Sequence, residues 1–250
     1  MNFWPIFKKE VRAYFGSSST HVVFTVFLVL SGFFFITDMA LFEKTNIRGT
    51  ASVVSGLWVN YLNDVRFLMI FFLPLLTMRL FAEEKKLGTI ELLTTYPVRD
   101  IEILAGKYLA CLLVFLVMLL LTFVNVILVG IIWDFSEIVP VLTGYLGLFL
   151  LGCSLISCGV FVSSLTDNQI VAAIGTMGLF VLFWFLTWNA MMGSEDLIRV
   201  LSRLSLFDRV YDFLEGKINT KDIVFFLLFS CFFLFLTLRS LGSRAWKGLK

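Results

Sequence analysis

The sequence predicts an all-α integral membrane protein. It should have six transmembrane helices with both termini cytoplasmic and an amphipathic helix at the N-terminus. A short cytoplasmic helix should lie between spans two and three, and short interfacial helices between spans five and six. Three observations carry this prediction. Hydrophobic residues make up 59% of the 250 and charged residues only 15%, against about 25% charged in soluble domains, and the mean hydropathy is +0.94. The charges are gathered into short segments separated by long uncharged runs. The densest of those segments, Arg79–Lys107, lies between two apolar runs and cannot sit in hydrocarbon, so it faces water at one membrane surface.

A spanning helix needs about 20 mostly apolar residues, so the gaps between charges serve as the ruler. Such gaps run from Arg12 to Asp38, Arg66 to Arg79, Lys107 to Asp134, Glu137 to Asp167, Asp167 to Glu195, and Asp222 to Arg239. They place spans near 20–42, 61–81, 108–132, 140–162, 169–188 and 222–241, within one membrane domain covering 1–250. The second gap is too short to cross alone and must extend to Tyr61 and Phe81. Arg66 then lies in the outer part of a helix, where a long side chain snorkels to the interface and Asp38 is its expected ion partner. Pro74 should bend this span. No small-x-small cleavage site follows the first apolar run, so an uncleaved helix is expected there rather than a signal peptide.

Lys/Arg bias sets the orientation. With both termini cytoplasmic, the inner segments carry Lys8, Lys9, Arg12, Arg79, Lys85, Lys86, Arg99, Lys107, Arg239, Arg244, Lys247 and Lys250, twelve cations against eight outside. Phe3, Phe7, Val11 and Phe15 recur every four residues with Lys8, Lys9 and Arg12 elsewhere on the wheel, which describes a helix lying along the inner surface. Between spans five and six, Leu197, Ile198, Leu201 and Leu204 form one stripe. Phe207, Val210, Tyr211 and Leu214 form another, with Gly216 as a C-terminal stop. Periodicity alone fits one or two short helices on the outer interface as well as an ordinary packed loop.

Within the charged segment, Phe81–Leu87 should carry the second span out of the membrane and Gly88 should interrupt it. Thr89 can cap a short helix with Glu91 in its first turn. Ile90, Leu92 and Leu93 form its apolar side, and Pro97 ends it. Asp100 can cap the helix that becomes span three. Glu83, Glu84 and Glu91 have no enclosed pocket and adjoin Lys85 and Lys86, so a solvated or partner-facing role outweighs acid–base chemistry. His21, the only histidine, has no second member for a dyad. Asn125 fits helix–helix adhesion better than a transport path. Gly144, Gly147, Gly152 and Gly159 permit close packing in span four. Cys111, Cys153, Cys158 and Cys231 fall in apolar runs without metal-ligand spacing.

Arg79-Leu80-Phe81-Ala82-Glu83-Glu84, followed by Gly88-Thr89-Ile90-Glu91-Leu92-Leu93 and Pro97-Val98, resembles the cytoplasmic signature of ABC-2 type permeases. Leu206-Phe207-Asp208-Arg209 and Asp212-Phe213 also look familiar, and the likeness is greatest to the gliding-motility and nitrous-oxide-reductase-maturation types. The resemblance implies a non-catalytic, multi-pass subunit of a bacterial cytoplasmic (inner) membrane exporter. It would pair with a second permease subunit, as a homo- or heterodimer, and sit on two copies of a cytoplasmic ABC ATPase, with an accessory protein in the periplasm or membrane as a further partner. Glu83, Glu84, Gly88, Thr89, Glu91, Leu92, Leu93 and Pro97 would form the coupling element that fits the ATPase. Phe3, Phe7, Val11 and Phe15 would mark the elbow helix. ATP and magnesium would be held by the ATPase, and this chain would bind no cofactor, no metal and no nucleic acid.

The residues agree that the energy source lies elsewhere. A phosphate-cradling loop needs Gly-x4-Gly-Lys-Ser/Thr. The Gly-Lys pairs here, Gly106-Lys107 and Gly216-Lys217, are followed by Tyr108 and Ile218. A lipid-phosphate enzyme would want Asp-rich motifs, which are absent. A secondary transporter keeps ionisable groups near the midplane, where spans three to six hold none. A non-transporting anchor or force-transmitting subunit built on the same plan remains the alternative.

Overall fold

The computed structural model describes residues 3–45, 54–88, 99–132, 138–188 and 205–245. Every regular element among them is helical: α1 (Phe3–Phe15), α2 (Ser18–Thr45), α3 (Val59–Thr77, entered through a wide π-type turn at Val54–Trp58), α4 (Arg79–Lys86), α5 (Asp100–Thr122), α6 (Val124–Ile132), α7 (Ile138–Leu165), α8 (Gln169–Trp188), α9 (Leu206–Leu214) and α10 (Thr220–Ala245). Among the described residues, five stretches are long and apolar enough to cross a membrane: Ser18–Lys44, Gly56–Lys86, Asp100–Ile131, Ile138–Leu165 and Thr220–Gly242. A shorter apolar run, Gln169–Phe185, lies within α8. The second expected span does extend well beyond its uncharged gap, as its length required.

α7 is the central helix. About 72% of its most apolar window is buried inside the protein, against 22% for α2 and 17% for α10. Its glycines explain why. An added Cβ would meet Leu62 at Gly144, Phe213 at Gly147, the Phe115 ring at Gly152, and the Thr77 hydroxyl at 2.3 Å at Gly159. Each absent side chain is filled by a bulky neighbour from α3, α5 or α9. Polar atoms reinforce these contacts. Thr143 donates to the Phe213 carbonyl (3.0 Å) and Ser154 to that of Phe226 (3.2 Å). Tyr61 is a hub: its hydroxyl lies 2.7 Å from Ser31 Oγ and accepts from Asn125 Nδ2 at 2.7 Å, joining α2, α3 and α6. Asn125 therefore acts as helix adhesive.

Several expectations need correcting. Arg66 does not pair with Asp38; its guanidinium donates to the Phe207 carbonyl at 2.7 Å and so ties α3 to α9. A backbone acceptor presented by α9 meets the fork, while Asp38 is itself buried in α2. The Phe207 stripe faces the protein interior. Leu206, Phe207, Val210, Phe213 and Leu214 are buried against the bundle, and Tyr211 is the exposed member at 45%. Burial pushes the Asp208 carboxyl above its usual range, partly offset by its bond to Ser205 and by Arg66. The ends of α9 follow from sequence. Ser205 Oγ accepts the Asp208 amide (3.2 Å) as an N-cap. Gly216, at φ +86°, ends the helix with the paired bonds Gly216 N–H to Phe213 O and Lys217 N–H to Asp212 O. Arg209 then pairs with Asp222 and stacks 4.0 Å over Phe225, fastening α9 to α10. Asp100 is the first residue inside α5 rather than its cap. Arg99 holds the cap position without a side-chain bond, and Asp100 and Glu102 face the helix dipole from the first turn. The stripe Leu197, Ile198, Leu201 and Leu204 lies outside the described residues.

Candidate functional site

The densest charge in the sequence is carried out of the bundle by α3 and α4, which form an almost continuous rod. The interruption at Met78 has a specific cause. Ser163 of α7 inserts its hydroxyl into the helix ladder, accepting the Phe81 and Ala82 amides (3.1 and 3.2 Å) and donating to the Met78 carbonyl (3.1 Å). Thr77 turns back on its own helix, donating to the Leu73 carbonyl at 3.1 Å. Pro74 is accommodated one turn earlier, within α3. Beyond the break, Leu80, Phe81 and Ala82 are buried, and the Lys85 ammonium donates to the Ser164 carbonyl at the end of α7.

α4 meets α1 and α5 at one buried cation. The Lys107 side chain is 2% exposed, with Nζ 2.8 Å from Glu10 Oε1 of α1 and 2.8 Å from Glu84 Oε1 of α4. Lys9 approaches Glu84 from outside at 3.7 Å, and the Phe81 ring lies 5.5 Å from the Lys107 ammonium. Two cations and two carboxylates leave the cluster neutral, the condition under which buried charge is tolerated. Ile6 and Phe7 pack so closely on Gly106 that an added Cβ would lie 2.9 Å from Ile6. Tyr14 donates from its buried hydroxyl to the Leu76 carbonyl at 2.7 Å. Burial holds that phenol well above its usual pKa, so it stays a donor. Arg79 completes the joint, bonding Ser17 Oγ (2.7 Å) and Glu83 Oε2 (3.2 Å). Four elements (α1, α4, α5 and the end of α7) are thus locked together where the chain leaves the apolar bundle.

The sequence-predicted residues fall on this joint or beyond it. Glu83 is half-exposed and pairs with Arg79. Glu84 is turned inward to Lys107. Gly88, at φ +67°, takes the left-handed position that closes α4. Thr89, Glu91, Leu92, Leu93 and Pro97 lie outside the described residues. On α1, Phe3, Phe7 and Val11 are half-buried and Phe15 is exposed. The inward face is instead Ile6, Glu10 and Tyr14, a second stripe of period four that the sequence does contain. Lys107 gave no such signal, because its partners lie 97 and 23 positions away.

Among the described residues, no group of three or more His, Cys, Asp or Glu side chains could hold a metal ion. The carboxylates of the joint are ion-paired, so the arrangement suits mechanical linkage rather than proton transfer. No curated protein matches the chain. A family profile described as ABC-2 family transporter protein matches residues 4–215, which include the whole joint. Such membership implies an ABC ATPase as partner. The chain belongs to the ABC-2 transporter family, as one of its multi-pass membrane components.

Proposed function

We propose that this protein is the permease subunit of an ABC-2 exporter, moved by a separate ATPase through the segment that follows α4. In this reading six helices cross the membrane, with α8 as the fifth. Both termini and the 79–107 segment face the cytoplasm of a bacterial cell, and two such subunits sit on two ATPase copies that hold the ATP and magnesium. The residues around Gly88 and Glu91 receive the push; Glu83 is the carboxylate of α4 still open to the partner. The observation that supports this most directly is the joint at Lys107. A displacement delivered beyond Gly88 enters α4. From there it reaches α1 through Glu84–Lys107–Glu10, α5 through Lys107 itself, and α7 through Ser163 and Lys85. Close-packed interiors pass such displacements on with little loss.

The test uses the full chain co-expressed with its ABC ATPase. Replacing residues 85–95 by a neutral linker of equal length should leave membrane insertion intact while abolishing ATPase co-purification and stimulated hydrolysis. Retention of both would overturn the coupling assignment.

A further inference from the structure

We propose that the corner between α1, α2 and α3 binds the headgroup of an anionic phospholipid from the surrounding bilayer. A cavity of about 60 Å³ opens there, lined by Ser19, Thr20, Val23, Leu75, Met78 and Arg79 among others. Its lining is mostly apolar and reaches the flank of the bundle at Leu75, which is 38% exposed. Arg79 and the exposed Ser19 also line it, where α3 gives way to α4, together with the buried Thr20. A mostly apolar cavity bordered by Arg79 and Ser19 suits a phosphodiester whose acyl chains lie along the helix flank.

Arg79 is held for such a role. Ser17 and Glu83 take two of its five donors and fix the plane of the fork. The remaining donors suit the paired oxygens of a phosphate. A second cavity, about 50 Å³, is also lined by Arg79. Glu10 and Glu83 line that one, which repels an anion, whereas the residues lining the first include no carboxylate. The Glu83 carboxylate partly screens Arg79 and weakens the site. Against it, Lys8 and Arg12 are exposed on α1, while Glu10 and Glu84 are occupied by Lys107. Anionic lipid is therefore favoured over zwitterionic. The occupant is a bilayer component, independent of the exported cargo.

The experiment uses the purified full-length chain in neutral detergent, titrated with phosphatidylglycerol, phosphatidylcholine or inorganic phosphate. Native mass spectrometry counts adducts and thermal unfolding reads stabilisation. A one-to-one phosphatidylglycerol adduct that raises the unfolding temperature is expected, with little effect from the other two. Arg79→Gln should weaken that binding about tenfold. Ser19→Phe, at an exposed position on the cavity lip, should block it while leaving Arg79 untouched; this variant decides the matter if Arg79→Gln fails to fold. Glu83→Gln should bind at least as tightly as the parent. Equal binding of phosphatidylcholine, equal stabilisation by inorganic phosphate, or unchanged phosphatidylglycerol binding by Ser19→Phe would overturn the proposal.

Discussion

Lys107 joins α1 and α4 to its own helix α5 through two carboxylates. Removing one partner from a buried ion cluster costs about 3–5 kcal/mol, because the remaining charges lose their compensation. Lys107→Met should therefore lower the thermal unfolding temperature sharply in detergent. The triple variant with Glu10→Gln and Glu84→Gln should recover most of the loss; no recovery would mean the cluster is not the cause. Gly159 offers a steric counterpart. Gly159→Ala places a methyl 2.3 Å from Thr77 Oγ1, an overpacking worth about 1–3 kcal/mol. Gly178→Ala meets nothing within 4 Å and should be neutral or slightly stabilising, by up to about 1 kcal/mol of helix propensity. Comparing the two by thermal unfolding separates close contact from propensity. The sequence revealed that span-four glycines allow tight packing, since a glycine's missing side chain is visible in one letter. It did not reveal which neighbour fills each gap. Nor could it show Lys107 as buried, because a lysine bordering an apolar run looks the same whether it faces water or a distant glutamate.

At the level of elements, hydrophobic runs located the long helices, while the bends and dockings between them depended on partners far along the chain. The break between α3 and α4 is an example. Pro74 was the visible suspect, yet the interrupted bonds belong to Phe81 and Ala82 and are taken by Ser163, more than 80 residues away. Ser163→Ala should let those amides return to the carbonyls of Thr77 and Met78, so α4 continues the axis of α3. Spin labels at positions 75 and 87 should then report a longer, narrower distance distribution; an unchanged one would contradict this origin for the break. α9 shows the same limit. Its caps at Ser205 and Gly216 are local and legible, but its burial is set by the space at Gly144 and Gly147 on another helix. The Tyr61 hub is likewise non-local. Tyr61→Phe removes the shared partner of Ser31 and Asn125 and should cost about 0.6–2 kcal/mol, measured by unfolding in detergent. Loss beyond that range would assign Tyr61 more than adhesion.

For the molecule as a whole, composition and charge spacing were enough to indicate a helical membrane bundle, because insolubility in water leaves few other solutions. The proposed coupling segment carries the family-like signature, its residues around Glu91 and Pro97 lie outside the described residues, and the joint beside it was hidden by distance in sequence. One geometric fact constrains how this assembly can change shape. Four notches along α7 are each cut to a different neighbour, so a slide of even one residue, about 1.5 Å, would drive backbone into Leu62, Phe213, Phe115 or Thr77. That helix is a mast with a single register. Any change of shape must therefore carry the mast and the neighbours seated in its notches together as one body, rather than slide one past the other.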